Sequence, residues 1–371
     1  MELTDTGLVV LLALLAVAVF ALIVAGLPRR GRPSARMAVR AVEVVALNVF
    51  VVALAGAALN DQYLFYSSWS DLFGARADSV RVHQGGTTPD AASARVAGPG
   101  LTGVGVPAVL PPLPHPGSRL QTYTVAARRT NAGGEVWVYL PAGYDPRSNR
   151  TYPVIVALAA FPSGPQRLQH LDVLGTVDTL TAQHRLAPSI VVVPRVDTPS
   201  SLDTECLDAA PGGPQTDTWL SHDLPAWTTR HFHVRPTRLA WAALGYSDGG
   251  WCAASVTMRH PDVFGAAIVL MGYFRPDFSA TYDSPSSATE RARDLVALAR
   301  TAPPPVSMWV LTSREDSLSY PSSAKLLSVA RPPLDVTGTV LAHGAHGDEV
   351  SARYVLAALS WLAQTLPGFR G

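Results

Sequence analysis

Lysine is almost absent. Lys325 is the only one in 371 residues, so arginine carries nearly all of the positive charge. Charge of either sign is sparse, 15% of the chain, where an average soluble protein carries roughly 25%. The 29 basic residues balance 28 acidic ones, and a net charge of +1 lacks the basic footprint of a polyanion-binding protein, so no nucleic-acid partner is expected. Two cysteines are too few for a disulfide-dense scaffold or a four-cysteine zinc site. No phosphate-cradling glycine loop, dinucleotide fingerprint or internal repeat is found, and neither cofactor nor metal is expected. What is abundant is apolar: 48% hydrophobic residues and a mean hydropathy of +0.18 exclude a disordered chain.

Much of that apolar excess lies at the N-terminal end. Gly7 to Leu27 carries no charge and is long enough to cross a hydrocarbon core of about 30 Å. Ala41 to Leu59 is a second candidate span, weakened by Glu43 and Asn48, with Arg40 placed to meet Glu43. Between them lie Arg29, Arg30, Arg32, Arg36 and Arg40, while the preceding tail offers only Glu2 and Asp5. The positive-inside rule therefore expects the arginine loop in the cytoplasm and everything after Asn60 outside. A cleaved leader is the alternative, with a start at Met37 and the small-residue run Ala55-Gly56-Ala57. Both readings export the large domain. The expected organisation is a membrane anchor over residues 1–60, a juxtamembrane and linker segment over 61–118, and a catalytic domain over 119–371. Tyr63, Tyr66 and Trp69 suit a membrane interface, and Ala77 to Ser118 is rich in Gly, Pro, Ala and Thr without sustained periodicity.

In the third segment short apolar runs alternate with helical patterns. Gly134–Leu140 alternates as a strand does, and Pro153–Ala160, Ser189–Val193, Leu239–Leu244, Ala266–Leu270, Val306–Leu311 and Thr339–Ala342 are continuous apolar runs. Such runs suit parallel strands buried on both faces. Helical patterns fall at Leu168–His184, Thr216–His231, Gly250–His260, Thr289–Ala299 and Glu349–Leu366. The expectation is a mostly parallel, doubly wound α/β sheet.

The sharpest motif is Gly245-Tyr246-Ser247-Asp248-Gly249-Gly250. A buried-type strand precedes it and a small-residue helix follows, the context in which a serine hydroxyl is exposed on a strained strand-to-helix turn. Serine is a weak nucleophile alone and needs a base held by an acid. After Val306–Leu311 come Glu315 and Asp316; after Thr339–Ala342 come His343 and His346. Asp316 is preferred as acid, with Glu315 as the alternative. His346, in a glycine-flanked loop before the final helix, is preferred as base, with His343 expected at the strand end as a core or supporting residue. The oxyanion would be held by the backbone N–H of Asp248 and by one from the loop after Pro153–Ala160, assigned to Phe161.

Taken together, Y-L-P-A-G-Y-D, R-T-Y-P-V-I-V-A-L, G-Y-S-D-G-G and G-A-H before a terminal helix resemble the esterase D and enterochelin-esterase group of α/β-hydrolases, which includes the antigen 85 mycolyltransferases of actinobacteria. The resemblance covers Arg119 to Pro367 and implies an α/β-hydrolase fold with a triad on Ser247, Asp316 and His346. Ala159-Ala160 stand where many members carry His-Gly, a departure in the oxyanion loop. The N-terminal spans match nothing in the secreted antigen 85 type, so no substrate is carried over from it.

Cys206 and Cys252 are the only candidates for a disulfide, which an exported domain permits and which would tie a loop to the helix after Ser247. His231-x-His233 lacks a third ligand of clear spacing and is read as a helix end and loop; Tyr246 and Trp251 are read as packing. The functional expectation is an extracytoplasmic, membrane-attached serine esterase or acyltransferase acting on an ester substrate, a lipid or glycolipid among the candidates. The alternative is a non-catalytic cell-envelope binding protein on a hydrolase fold.

Overall fold

The computed structural model describes residues 6–25, 33–63, 79–84, 101, 109–115, 117–127, 130–162, 164–197, 202–210, 212–278 and 293–371. The chain divides into two units, Met1–Asp78 with His343–Gly347, and Ser79–Ala342 with Asp348–Gly371.

In the first unit, α1 (Thr6–Val24) and α2 (Pro33–Tyr63) pack against each other. Gly7–Val24 and Val39–Ala58 have mean hydropathies of 3.2 and 2.2, long and apolar enough to cross a membrane by length and composition. Asn48, which weakens the second span on sequence grounds, donates its side-chain amide to the Val44 carbonyl at 2.8 Å. The helix thus satisfies that polar group internally, as a hydrocarbon environment requires. Arg29, Arg30, Arg32, Tyr66 and Trp69 lie outside the described residues.

The second unit is built on a nine-stranded sheet of order β1-β9-β8-β7-β6-β4-β5-β3-β2. Its six central strands are parallel: β5 (Ile190–Pro194), β4 (Val154–Leu158), β6 (Trp241–Tyr246), β7 (Ala266–Leu270), β8 (Ser307–Ser313) and β9 (Asp335–Leu341). Antiparallel β3 (Ala132–Tyr139) and β2 (Leu120–Ala127) extend one edge. β1 (Ser79–Gln84) pairs antiparallel with β9 at the other. This is the α/β-hydrolase arrangement that the resemblance implies.

The apolar runs are explained by burial on both faces. Val154, Val156 and Leu158 of β4 join one core, while Ile155 and Ala157 join the other. α4 (Leu224–His231), α5 (Asp248–Arg259), α6 (Leu295–Thr301) and α7 (Tyr320–Val329) line the first core. α3 (Val173–Ala182) and α8 (Asp348–Thr365) line the second.

Three elements differ from the sequence expectation. Ser79–Gln84, inside the segment expected to be linker, is an edge strand. The expected helix over Leu168–His184 is broken at Asp172, which adopts φ +48° between a 3-10 turn at Pro165–Leu171 and α3. The helix expected over Thr289–Ala299 is found at Leu295–Thr301, its first residues lying outside those described.

Candidate active site

Ser247 occupies the single-residue turn between β6 and α5, at φ +57° and ψ −122°. A non-glycine residue held there costs about 1–3 kcal/mol, so its surroundings must impose the conformation. They do so from both sides: its N–H donates to the Leu270 carbonyl of β7 at 2.9 Å, and its carbonyl accepts from the Trp251 N–H at 3.0 Å. The neighbouring glycines are steric necessities. A Cβ at Gly245 would overlap the Gly249 carbonyl, and one at Gly249 would overlap the Leu158 carbonyl at the end of β4. The turn is therefore packed backbone against backbone, with the half-buried serine at the start of α5. The first N–H groups of a helix have no intrahelical acceptor, and together with the dipole they favour negative charge at this point.

The acid candidates separate by environment. Asp316 is 1% exposed. Its Oδ1 accepts from the Leu318 and Ser319 N–H groups at 3.0 and 3.2 Å, and its Oδ2 accepts from the Ser319 hydroxyl. Glu315 is only half-buried. The turn after β8 thus fixes one carboxylate in a buried frame and leaves its neighbour toward the surface. His346 is 7% exposed in the loop after β9. His343 is exposed, which corrects the core half of the expectation for that residue: β9 stops at Leu341, two residues earlier. Two residues after His346, Asp348 pairs with Arg167 at 3.4 Å and His170 at 3.2 Å, tying the start of α8 to the segment after β4.

Around the oxyanion loop the structure adds a feature that sequence reading did not contain. The Phe161 N–H donates to Asp248 Oδ2 at 3.1 Å. The N–H assigned to the oxyanion on sequence grounds is thus engaged by the carboxylate of Asp248, the residue expected to supply the other donor. Burial, reinforced by Asp203, pushes the Asp248 carboxyl up to about 7, while the Phe161 N–H and Tyr273 pull the other way. Glu205 is raised well above the carboxylate range, first by burial and then by Asp248. Asp203 and Glu205 went unnoticed in the sequence because isolated acids in a loop carry no periodic signal. Their position beside Cys206 is the cue that was there to use.

Cys206 and Cys252 are joined by a disulfide, with Cα atoms 5.5 Å apart, fastening the loop after β5 to α5. Trp251 is fully buried, donates its indole N–H to the Glu205 carbonyl at 2.9 Å and stacks on Tyr273. His231 and His233 do not converge on a ligand: His231 Nδ1 meets the Trp227 carbonyl at 2.7 Å, and His233 Nε2 meets the Pro146 carbonyl at 2.9 Å.

Comparison with known proteins follows the same lines. Residues 128–363 match the family described as "Putative esterase". The chain belongs to that family. An uncharacterised protein of Corynebacterium glutamicum is 26% identical over 144 residues, 38% of this chain and 33% of that protein. The MPT51 antigen of Mycobacterium leprae is 40% identical over 65 residues, 18% of this chain and 21% of the antigen. The matches thus span a third or less of these relatives' lengths. A ferulic acid esterase superposes with a TM-score of 0.54 at 17% identity, covering 66% of this chain and 97% of that one. An S-formylglutathione hydrolase from Agrobacterium tumefaciens gives 0.54 at 16% identity, covering 67% and 95%. At such identities the likeness is one of fold.

Proposed function

We propose that the chain is a membrane-attached serine esterase or acyltransferase whose catalytic domain faces the outside of the cell. Ser247 attacks the ester carbonyl carbon, and His346 takes the hydroxyl proton while Asp316 holds the imidazole tautomer and stabilises the imidazolium. The tetrahedral intermediate collapses as the histidine protonates the departing alkoxide. The acyl-enzyme then passes its acyl group to water or to a sugar hydroxyl. The developing oxyanion lies at the start of α5, where the Asp248 N–H is one donor and the Phe161 N–H, once released from the Asp248 carboxylate, is the other.

The observation that carries this reading is the backbone of Ser247: a non-glycine residue at φ +57° between a central parallel strand and a helix. Strain of that kind is retained where a side chain must be presented at one point. In support, Ser247, Asp316 and His346 follow the C-terminal ends of β6, β8 and β9, in the chain order Ser, acid, His that this fold uses. Membrane attachment is supported by the surface of α1 and α2. Among the described residues, every exposed large hydrophobic except Val109 and Leu356 lies on these two helices.

Hydrolysis of a p-nitrophenyl ester tests the reading. The wild-type chain is expected to turn it over, and Ser247→Ala, still folded, to lose about 10⁴ to 10⁶ in kcat. A folded variant keeping a tenth of the activity removes Ser247 from the mechanism. Comparing products in water alone and with added trehalose separates hydrolysis from acyl transfer.

A further inference from the structure

The loop after β5 and the first turn of α5 bring three carboxylates together. Asp203, Glu205 and Asp248 each place an oxygen within 4.8 Å of the other two. All three are buried, Asp203 and Glu205 to 2% exposure. Part of their hydrogen-bonding capacity is used. Asp203 Oδ1 accepts from the Glu205 N–H at 3.1 Å, Glu205 Oε1 from the Tyr273 hydroxyl at 2.7 Å, and Asp248 Oδ2 from Phe161. The Asp277 backbone also serves the Glu205 carboxyl, but its Oε2 is buried and makes no hydrogen bond. An unsatisfied carboxylate oxygen out of water costs more than any other common orphan, and here the strongest charge acting on it is another carboxylate. The cluster is short of a positive charge at the position of that oxygen.

We propose that Asp203, Glu205 and Asp248 bind a hard divalent cation of calcium size, which joins the disulfide-tethered loop to the start of the Ser247 helix. The donor set selects the class of ion. It is all oxygen and mostly anionic, with no imidazole or thiolate, which suits calcium or magnesium and not zinc or copper. The shortage of room for water favours the larger ion: calcium takes several carboxylate oxygens directly at about 2.3–2.6 Å, whereas magnesium binds at about 2.0–2.1 Å and keeps most of its waters. The residues lining a small void at this spot, Phe161, Val196 and Asp197 with the three acids, leave little room for such a hydrated shell. The Cys206–Cys252 bridge preorganises the site, because Glu205 adjoins one cysteine and Asp248 lies one helical turn before the other. Asp248 also holds the Phe161 N–H, so the cation would tie the loop after β5, the loop after β4 and α5 into one unit. This site is independent of whether Ser247 is the nucleophile.

Terbium luminescence and thermal unfolding of the full chain, first stripped with EDTA, provide the test. Terbium substitutes for calcium, and Trp251, bonded to the Glu205 carbonyl, is placed to sensitise it. The expected result is saturable terbium emission displaced by calcium, and a Tm raised by about 5 °C at calcium roughly a hundredfold above its Kd. Glu205→Gln should weaken the calcium response at least tenfold while leaving the metal-free Tm nearly unchanged, since burial already favours the neutral carboxyl that the amide mimics. Asp203→Asn serves as a second variant if Glu205→Gln does not fold. The proposal is overturned if calcium up to about 10 mM, beyond the weak end of natural calcium sites, moves neither signal. It is overturned equally if the variants respond as the wild type does.

Discussion

At the scale of single residues, the environments of neighbouring side chains decide the chemistry. Glu315 and Asp316 are one bond apart in sequence, yet only Asp316 is buried and ringed by donors from Leu318 and Ser319. A carboxylate fixed in that way can orient an imidazole, whereas a half-buried one contributes little more than a surface charge. Asp316→Asn is therefore expected to lower kcat by about 10⁴, because a neutral amide supports the wrong histidine tautomer. Glu315→Gln should cost less than about tenfold. Measuring kcat for both variants on one ester decides between them, and a crippled Glu315→Gln moves the acid by one residue. The sequence carried the identity of these candidates because Ser, acid and His each follow a recognisable strand. It did not carry the Phe161–Asp248 hydrogen bond or the Glu205 orphan oxygen, because both depend on which way a loop side chain turns once the sheet has assembled.

At the scale of elements, the strands buried on both faces were the most legible part of the fold. β4, β6 and β7, and β8 over Met308–Leu311, are continuous apolar runs because each face meets a separate core, and no alternation is needed to recognise them. β2 was missed for the opposite reason. Its fully buried position, Gln121, is polar, and it satisfies itself by bonding the backbone of His115 and Ser118. β1 was missed because Ser79–Gln84 offers only Val80 and Val82 as apolar positions, within a Gly- and Pro-rich stretch. The break at Asp172 was equally silent, since an aspartate in the left-handed region leaves no periodic trace. The Ser247 turn makes a prediction at this scale. Its glycines let α5 approach β4 backbone to backbone, so Gly249→Ala must push the helix off the Leu158 carbonyl. A loss of about 1–3 kcal/mol is expected from overpacking, read as a lower urea midpoint with an unchanged m-value. An unchanged midpoint would show that the turn absorbs the added methyl without moving the helix.

At the scale of the whole molecule, an apolar N-terminal pair of helices precedes an esterase-family domain of the α/β-hydrolase fold. The proposed arrangement puts the arginine loop in the cytoplasm and the catalytic domain outside. A protease-cleavable tag inserted between Arg29 and Arg40 should be protected in intact cells, while a tag after Gly371 should be cut. Protection of the C-terminal tag would reverse the orientation and remove the oxidising surroundings in which the Cys206–Cys252 bridge is expected to persist. The central claim is that this domain works through a covalent intermediate on one serine. The most direct measurement is peptide mapping by mass spectrometry after treating the full chain with a fluorophosphonate, which phosphonylates an activated serine oxygen. The account predicts one adduct, on Ser247, absent from Ser247→Ala and reduced in rate by Asp316→Asn. An adduct on another residue instead, or ester hydrolysis persisting once Ser247 is fully phosphonylated, would contradict it.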